Sequence, residues 1–211
     1  MIKAVIFDFD GVLTKDTITI SAKELRQLFG KKPFDEHQMC LLEGAGIQSI
    51  IAELLQKELD DPEVEDITKR KLEMFRKERK RIRLLPQPLS IIRKLKEKNM
   101  KVALASGSKK ENLVEMLDEQ ISVFDVVISE DDVERTKPDP QPYLKTAEKL
   151  ELMPQECVVI ENAPRGIQAA KKAGMTCIAI TTTLPKEDLG KADIIVSDYE
   201  ELREEIDKVI G

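Results

Sequence analysis

The sequence predicts an α/β protein built on a parallel β-sheet, with a helical unit inserted after the first strand. Three observations support this fold class. Short apolar runs rich in β-branched residues recur along the chain, as is typical of strands buried on both faces. Amphipathic segments with helical periodicity separate most of these runs. The long interval between the first run and residue 101 shows helical periodicity and no convincing strand.

The first strand is predicted at residues 2–8, where an apolar run is followed closely by Gly11. Similar runs, each followed by polar or turn residues, predict the other strands at residues 101–105, 123–128, 157–160, 176–180 and 193–196. Apolar residues at helical spacing predict helices at residues 109–119, 141–150, 165–173 and 200–209. Because strands and helices alternate, the sheet is expected to be parallel and covered by helices.

The inserted helical unit is predicted to run from about residue 15 to residue 83. Pro86 and Pro88 follow it, and because proline opposes helix continuation, the next helix is predicted only from residue 89 to residue 98. The two connections between the unit and the rest of the chain are expected to act as hinges.

A strongly basic run closes the inserted unit. Between residues 68 and 83 the basic residues are Lys69, Arg70, Lys71, Arg76, Lys77, Arg79, Lys80, Arg81 and Arg83. A solvated helix face is the usual interpretation of such a run. Steering of an anionic substrate towards the protein is the alternative.

The composition indicates a soluble globular protein, since 41% of the 211 residues are hydrophobic and 35% are charged. A net charge of -6 argues against a general nucleic-acid binder. The sequence has neither a signal-peptide pattern nor an apolar run of about 18 residues, so we expect a cytoplasmic protein that does not bind membranes. The three cysteines show no Cys-x-x-Cys spacing, which argues against a disulfide framework and a zinc site.

Ligands bind at the carboxyl ends of parallel strands, and the first such end carries Asp8, Asp10 and Gly11. Two carboxylates at this spacing on extended backbone project to the same face, while Gly11 permits a sharp turn. One carboxylate could attack a substrate and bind a metal ion while the other transfers protons. Solvated turn carboxylates are the alternative, although an ionised carboxylate at the end of a buried strand needs compensation.

The second strand end carries Ser106, Gly107 and Ser108, directly before a predicted helix. The Ser106 hydroxyl could donate to a phosphate oxygen, and the free amides of the helix start would add donors. An ordinary helix N-cap explains Ser108 equally well.

Two further segments carry groups with possible functions. Lys137 precedes a proline-stiffened helix entry, where its ammonium could neutralise both an attacking carboxylate and a phosphate; an ordinary surface lysine is the alternative. Glu161 and Asn162 end another strand and offer oxygen ligands suited to Mg²⁺; a polar loop cap is the alternative. His37 stands alone and is predicted to be a surface residue rather than a metal ligand.

These four groups, in this order, resemble the motifs of the haloacid dehalogenase-like (HAD) superfamily. The branch that is most similar has a helical cap after the first strand and includes β-phosphoglucomutase-like and phosphoglycolate phosphatase-like enzymes. The resemblance implies a Rossmann-like α/β core at residues 1–14 and 84–211, with an inserted α-helical cap domain at residues 15–83.

The resemblance also implies roles for the site residues. Asp8 would be the nucleophile that forms an aspartyl-phosphate, and Asp10 would be the general acid and then the base that activates water. Ser106 and Lys137 would hold the phosphoryl group. The remaining implied phosphate-binding or substrate-binding residues are Gly11, Gly107 and Ser108. The implied Mg²⁺ ligands are Asp8, the backbone carbonyl of Asp10, Glu161 and Asn162.

The sequence departs from this branch at two places. Many relatives have Glu-Asp where this chain has Glu161-Asn162, and an amide oxygen is a poorer Mg²⁺ ligand than a carboxylate. Sugar-phosphate mutases of the branch carry an arginine at a cap loop that corresponds to residues 42–47, where this chain has none. The second departure favours hydrolysis over a mutase reaction.

We therefore predict a magnesium-dependent phosphatase for a small phosphorylated metabolite of the sugar-phosphate or phosphoglycolate type. The closest alternative is a phosphomutase of the β-phosphoglucomutase type, which would use the same Asp8 and Asp10 while keeping water from the intermediate. Signalling receivers also combine an aspartate, a hydroxyl residue and a lysine, but they are shorter and lack the insertion. A binding protein with a decayed site is a further alternative, motivated by Asn162.

Overall fold

The fold is a six-stranded parallel sheet in the order β3-β2-β1-β4-β5-β6, in a computed structural model that describes residues 1–211. The strands are β1 (Ala4–Phe7), β2 (Lys101–Ala105), β3 (Val126–Ile128), β4 (Cys157–Glu161), β5 (Thr176–Ile180) and β6 (Ile194–Val196). Each strand lies within or overlaps one of the predicted apolar runs. The predicted α/β class with a parallel sheet is confirmed.

Nine α-helices surround the sheet or lie in the insertion after β1. They are α1 (Asp16–Phe29), α2 (Glu36–Leu42), α3 (Ile47–Leu55), α4 (Pro62–Glu78), α5 (Pro86–Glu97), α6 (Lys110–Leu117), α7 (Gln141–Lys149), α8 (Pro164–Lys172) and α9 (Tyr199–Ile210). Helices α1 to α4 fall within residues 15–83; the limits of the cap as a separate domain stay a prediction. None of the nine has the length and apolar character that a membrane span requires.

Two elements begin three residues away from their predicted starts. Helix α5 begins at Pro86 rather than at residue 89, because proline is tolerated in a helix's first turn, where its missing N–H has no partner to lose. Strand β3 begins at Val126 rather than at residue 123, because Asp118–Val123 form a 3-10 helix. In both cases the predicted start was set by the first apolar residues, whereas the true start depends on a short helical segment: the first turn of α5, and the 3-10 helix before β3.

The sheet separates two apolar layers, because alternate residues of each strand face opposite sides. In β1, Val5 and Phe7 pack with residues of α5, α6 and α9. Ala4 and Ile6 pack with residues of α7, α8 and the inserted helices. All four side chains are fully buried. Burying one large apolar side chain contributes roughly 1.5–3 kcal/mol, so these strand residues fix β1 firmly in the middle of the fold.

The position of β1 determines where reactive groups meet. Its neighbours are β2 on one side and β4 on the other: the chain runs outwards from β1 to β2 and β3, and then crosses to β4 on the opposite side of β1. Ligands of open α/β sheets bind in the crevice at such a switch point. Asp8, Ser106 and Glu161 lie at the carboxyl ends of these three strands and are therefore brought to the same edge.

Candidate active site

The buried ammonium group of Lys137 joins two of the predicted carboxylates. Its Nζ atom lies 2.6 Å from Oδ1 of Asp8 and 2.7 Å from Oε1 of Glu161, and it donates to the carbonyl oxygen of Ala105 at 3.2 Å. Burial alone would lower the pKa of Lys137, but the two carboxylates raise it above its ordinary value. Lys137 is therefore held as a cation between the groups at the ends of β1 and β4.

Asp8 directly follows β1, and its carboxyl group is buried. The N–H of Asp8 donates to the carbonyl oxygen of Ile160 at 3.0 Å, which extends the pairing of β1 with β4 to this residue. Burial raises the pKa of Asp8 to about 8; Lys137 lowers it, while Glu161 and Asp10 raise it further. A single ammonium group does not fully offset this concentration of carboxyl groups.

Gly11 makes the turn that follows Asp10. Its φ angle of +83° lies in the region that favours glycine, and its N–H donates to the carbonyl oxygen of Thr14 at 2.7 Å. A Cβ atom here would lie 2.7 Å from Cγ of Asn162. Glycine is thus required both for the turn and for the close approach of the Asn162 side chain.

Asp10 faces the two serines that follow β2. Its Oδ2 atom accepts a hydrogen bond from Ser108 Oγ at 3.2 Å and a long one from Ser106 Oγ at 3.5 Å. Ser106 Oγ in turn accepts from the N–H of Ser108 at 3.0 Å. Burial raises the pKa of Asp10, whereas the hydroxyl groups of Thr17 and Ser108 lower it. A carboxyl group with a raised pKa is suited to proton transfer near neutral pH.

Glu161 is the last residue of β4, and both of its carboxylate oxygens have donors. Oε1 accepts from Lys137 and from the Tyr143 hydroxyl at 2.6 Å. Oε2 accepts from the N–H groups of Asn162 at 3.0 Å and Ala163 at 3.3 Å. Glu161 is a predicted Mg²⁺ ligand. To bind a metal ion directly, its carboxylate would have to give up one of these four donors. In this arrangement its carboxylate orients Lys137.

Asn162 is fully buried, and its two side-chain atoms have different environments. Nδ2 donates to Thr183 Oγ1 at 2.9 Å, whereas Oδ1 is buried without a hydrogen-bond partner. Thr182 Oγ1 donates to the carbonyl oxygen of Gly11 at 2.6 Å. These threonines were not predicted as site residues, although they lie in a run of three directly after β5, at a strand end like the other site residues.

The residues beside Asp8 fit a hard divalent cation. No three side chains of Asp, Glu, His or Cys are grouped to hold a metal ion. However, the unpartnered Oδ1 of Asn162 is a suitable oxygen ligand, and the Asp10 and Glu161 carboxyl groups raise the pKa of Asp8, as a concentration of negative charge does. Asp8, Asn162 and a backbone carbonyl could therefore share a Mg²⁺ ion.

A cavity of about 70 Å³ lies between the inserted helices and the core, next to Asp10, Gly107 and Ser108. The cap lines it with Thr17, Ser21, Glu43, Gly44, Ala45, Ile47, Ile50, Lys71, Leu72 and Phe75, and the core adds Lys109, Asn112 and Glu130. Burial raises the pKa of Glu43 to about 8, and Asp10 and Asp8 add to this rise. The cavity therefore opens next to Asp10 and is lined by both the cap and the core.

The cap loop that contains Gly44 closes one wall of this cavity. Gly44 has a φ angle of +91°, and a Cβ atom there would lie 3.0 Å from Cδ of Lys137. A Cβ atom at Gly107 would lie 2.9 Å from the carbonyl oxygen of Gly44 and 3.1 Å from that of Ala45. The cap loop and the loop after β2 therefore meet backbone to backbone.

We expect Gly107→Ala to prevent this close contact and to lower kcat/KM roughly 10- to 100-fold, since small displacements of positioning elements have effects of this size. Small-angle X-ray scattering should show a larger radius of gyration as the cap moves away. Gly190→Ala is the matched control, because the nearest atom to a Cβ there is 3.9 Å away. Equal kcat/KM values for the two variants would show that the contact is unimportant.

The basic run at residues 68–83 divides into two groups. Lys71 is buried, and Arg79 is largely buried against Glu111 and Glu115, with contacts of 3.0 and 2.5 Å. The other basic residues of the run are exposed, as expected of a solvated helix face. His37 is also exposed, as predicted, and its Nε2 lies 2.8 Å from Asp188 Oδ2.

The sequence profile of the haloacid dehalogenase-like hydrolase family matches residues 5–180. The chain is 33% identical over 201 residues to YhcW of Bacillus subtilis, which is named as a proposed phosphatase, with 89% of each chain covered. It is 29% identical over 204 residues to the chloroplastic 5-amino-6-(5-phospho-D-ribitylamino)uracil phosphatase of Arabidopsis thaliana. That match covers 93% of this chain and 54% of the plant protein, so the chain spans about half the length of this relative.

A solved structure shows the same architecture. The crystal structure of β-phosphoglucomutase from Clostridium difficile superposes with a TM-score of 0.85 at 27% identity, covering 100% of this chain and 99% of that chain. The match includes the sheet and the helices inserted after β1. It confirms a Rossmann-like core with an inserted helical cap.

Proposed function

Because the chain belongs to the haloacid dehalogenase-like hydrolase family, we propose that it is a magnesium-dependent phosphatase that hydrolyses a small phosphorylated metabolite through an aspartyl-phosphate. The observation that carries this proposal is the 2.6 Å contact between Lys137 Nζ and Asp8 Oδ1 at the end of β1. An ammonium group in this place reduces the repulsion between a carboxylate and an approaching phosphate. Phosphatase relatives that cover most of the chain support the same reaction.

The reaction has two steps. Asp8 attacks phosphorus, and the bond to the leaving oxygen breaks as Asp10 donates a proton to that oxygen. Asp10 then accepts a proton from a water molecule, whose oxygen attacks the aspartyl-phosphate and releases phosphate, which restores Asp8. The buried environment that raises the pKa of Asp10 favours its role as the first proton donor.

The groups after β2 would hold the phosphoryl oxygens. Ser106 Oγ accepts from the N–H of Ser108, so its own hydrogen is free to turn from the long Asp10 contact to a phosphoryl oxygen. Lys137 would donate to another oxygen while it remains paired with Glu161. When bound by Asp8, the Asp10 carbonyl and Asn162, Mg²⁺ supplies positive charge that stabilises the transferred group.

Hydrolysis of p-nitrophenyl phosphate by the purified protein tests this proposal. We expect phosphate release that requires Mg²⁺, stops with EDTA and returns when excess Mg²⁺ is added. A screen of phosphorylated metabolites under the same conditions would then identify the preferred substrates. A protein that is folded and Mg²⁺-replete but releases no phosphate from any ester would contradict the proposal.

We expect Asn162→Asp to tighten Mg²⁺ binding by about tenfold, because a carboxylate replaces a neutral amide oxygen as a ligand. The Thr183 hydroxyl, which accepts from Asn162 Nδ2 at 2.9 Å, can donate to the new carboxylate instead. Isothermal titration calorimetry would measure Mg²⁺ affinity independently of activity. Asn99→Asp, at an exposed position, is the matched control. Unchanged affinity in Asn162→Asp would exclude this side chain as a ligand.

A phosphomutase is the second candidate, because the structure superposes along its whole length on β-phosphoglucomutase. Against it, no arginine lines the cavity, whose cations are Lys71 and Lys109. Incubation with hexose 1-phosphates separates the two reactions. Released phosphate supports the hydrolase, whereas isomerised sugar without phosphate release supports the mutase.

A further inference from the structure

A buried ion pair in the cap lies beside the cavity. Lys71 of α4 and Glu24 of α1 approach to 3.2 Å between Nζ and Oε2, and their side chains are only 5% and 4% exposed. Lys71 Nζ also lies 4.2 Å from the centre of the Phe75 ring. Such a buried pair persists only when its partners compensate each other's charge.

The two residues have different positions relative to the cavity. Lys71 lines it, whereas Glu24 does not and lies behind Lys71. Neither carboxylate oxygen of Glu24 has a well-formed hydrogen bond to any other group. Glu24 therefore would not contact a substrate in the cavity. It would affect substrate binding only by fixing the position and balancing the charge of Lys71.

The rest of the cap wall combines apolar side chains with polar ones and carries no excess positive charge. Thr17 is 3% exposed and lines the cavity, and its hydroxyl lies near Asp10, whose pKa it lowers, without making a well-formed hydrogen bond. Glu43 and Glu130 add two carboxyl groups to the lining, and the other lining cation, Lys109, is exposed. A second anionic group on a substrate would meet a lysine that is already paired and two acids. Hydroxyl groups, which donate and accept, would suit all of these side chains.

We propose that Lys71, positioned by Glu24, and Thr17 form a subsite for an uncharged, hydroxyl-bearing leaving group, so that the enzyme prefers polyol and sugar monophosphates to bisphosphates and phosphoglycolate. This inference rests on the proposed phosphatase function and narrows its substrate class. Glu24 is a positioning residue and a determinant of specificity, because it cancels the charge that would otherwise attract a second anion.

The test compares kcat/KM for a hexitol monophosphate, a hexose bisphosphate and phosphoglycolate, each relative to p-nitrophenyl phosphate. The wild-type protein should prefer the hexitol monophosphate by about tenfold or more. Glu24→Gln leaves the Lys71 charge uncompensated, so it should shift this preference towards the bisphosphate by roughly tenfold. Lys71→Gln should lower kcat/KM for the hexitol ester by about tenfold, mainly through KM, as expected when a charged hydrogen bond is lost.

The double variant Glu24→Gln/Lys71→Gln shows whether Glu24 acts through Lys71. It should have the same substrate preference as Lys71→Gln alone, because coupled residues are not additive. Since the double variant leaves no unpaired charge, this comparison holds even if Glu24→Gln alone does not fold. Asp66→Asn is the control: it removes the exposed partner of Arg70 on the same helix and should leave the preference unchanged.

Three results would overturn the subsite. These are a wild-type preference for the bisphosphate or phosphoglycolate, a Glu24→Gln preference within about twofold of wild type, and a Glu24→Gln effect that persists in the Lys71→Gln background. In each case Mg²⁺-dependent hydrolysis of p-nitrophenyl phosphate would still support the phosphatase function. Loss of all ester hydrolysis by the wild-type protein would instead overturn the function and the subsite together.

Discussion

Asp8→Asn is expected to lower kcat by about 10,000-fold or more, as is typical when a covalent nucleophile is removed. The amide cannot attack phosphorus, while Lys137 keeps its 2.7 Å contact with Glu161. The measurement is kcat for p-nitrophenyl phosphate at saturating Mg²⁺. Asp60→Asn, at an exposed position, is the control and should keep wild-type activity. A folded Asp8→Asn protein with more than about a tenth of wild-type kcat would contradict the assignment of Asp8.

The same variant is expected to lose activity without losing stability. The pKa of Asp8 is raised from 3.8 to about 8 in the folded protein, chiefly by burial. Between these pH values the folded state binds a proton that the unfolded state releases, so stability should fall as the pH rises through this window. An amide does not titrate, so Asp8→Asn lacks this pH-dependent loss of stability. It should therefore be at least as stable as wild type at neutral pH. Urea unfolding in EDTA across the window would measure the difference.

Lys137→Met is expected to have the largest effect on stability. Removing one partner of a buried ionic group costs about 3–5 kcal/mol, and here two carboxylates, on Asp8 and Glu161, would lose their shared cation. Activity should also fall by roughly 100- to 1,000-fold, since a donor to the phosphoryl group is lost. The loss of stability should be smaller at mildly acidic pH, where Asp8, whose pKa is raised by burial, takes up a proton.

Urea unfolding and p-nitrophenyl phosphate hydrolysis would measure both effects of Lys137→Met. The control is Lys149→Met, the same substitution at an exposed position of α7, which should change the free energy of unfolding by less than about 0.5 kcal/mol. Equal stabilities for the two variants would show that the Lys137 ion pairs contribute no net stability. Full activity of Lys137→Met would exclude Lys137 from the reaction.

The strands and most helices could be predicted because their signals are local. A strand buried on both faces needs a continuous apolar run, and β1 consists of four fully buried apolar residues, Ala4–Phe7. The meeting of reactive side chains at one edge of the sheet could likewise be predicted, because parallel strands have their carboxyl ends at the same edge. Boundaries such as the start of α5 at Pro86 were harder to predict, since proline is common both in the first turn of a helix and at a helix break.

The parts of the site that could not be predicted depend on packing across distant segments. Tyr143 lies on α7 without any distinctive sequence signal, yet its hydroxyl holds Glu161 at 2.6 Å. Lys71 could not be distinguished from its exposed basic neighbours, because only the packing of α4 against α1 places it opposite Glu24. For Glu161 the sequence predicted a metal ligand, whereas in the folded protein its carboxylate accepts hydrogen bonds from four donors.

The sequence by itself thus determined the fold class, the edge of the sheet where chemistry would occur, and the candidate pair of Asp8 and Lys137. The fold class and the edge follow from periodicity and from residue types at strand ends, and the pair follows from short motifs that resemble those of a known family; all of these are properties of short segments. Only the tertiary structure decided which charges are paired, which polar atoms are left without partners, and which cap residues face the cavity. Those properties depend on burial and on distances of a few ångströms between segments far apart in the chain, and a local pattern carries no information about them.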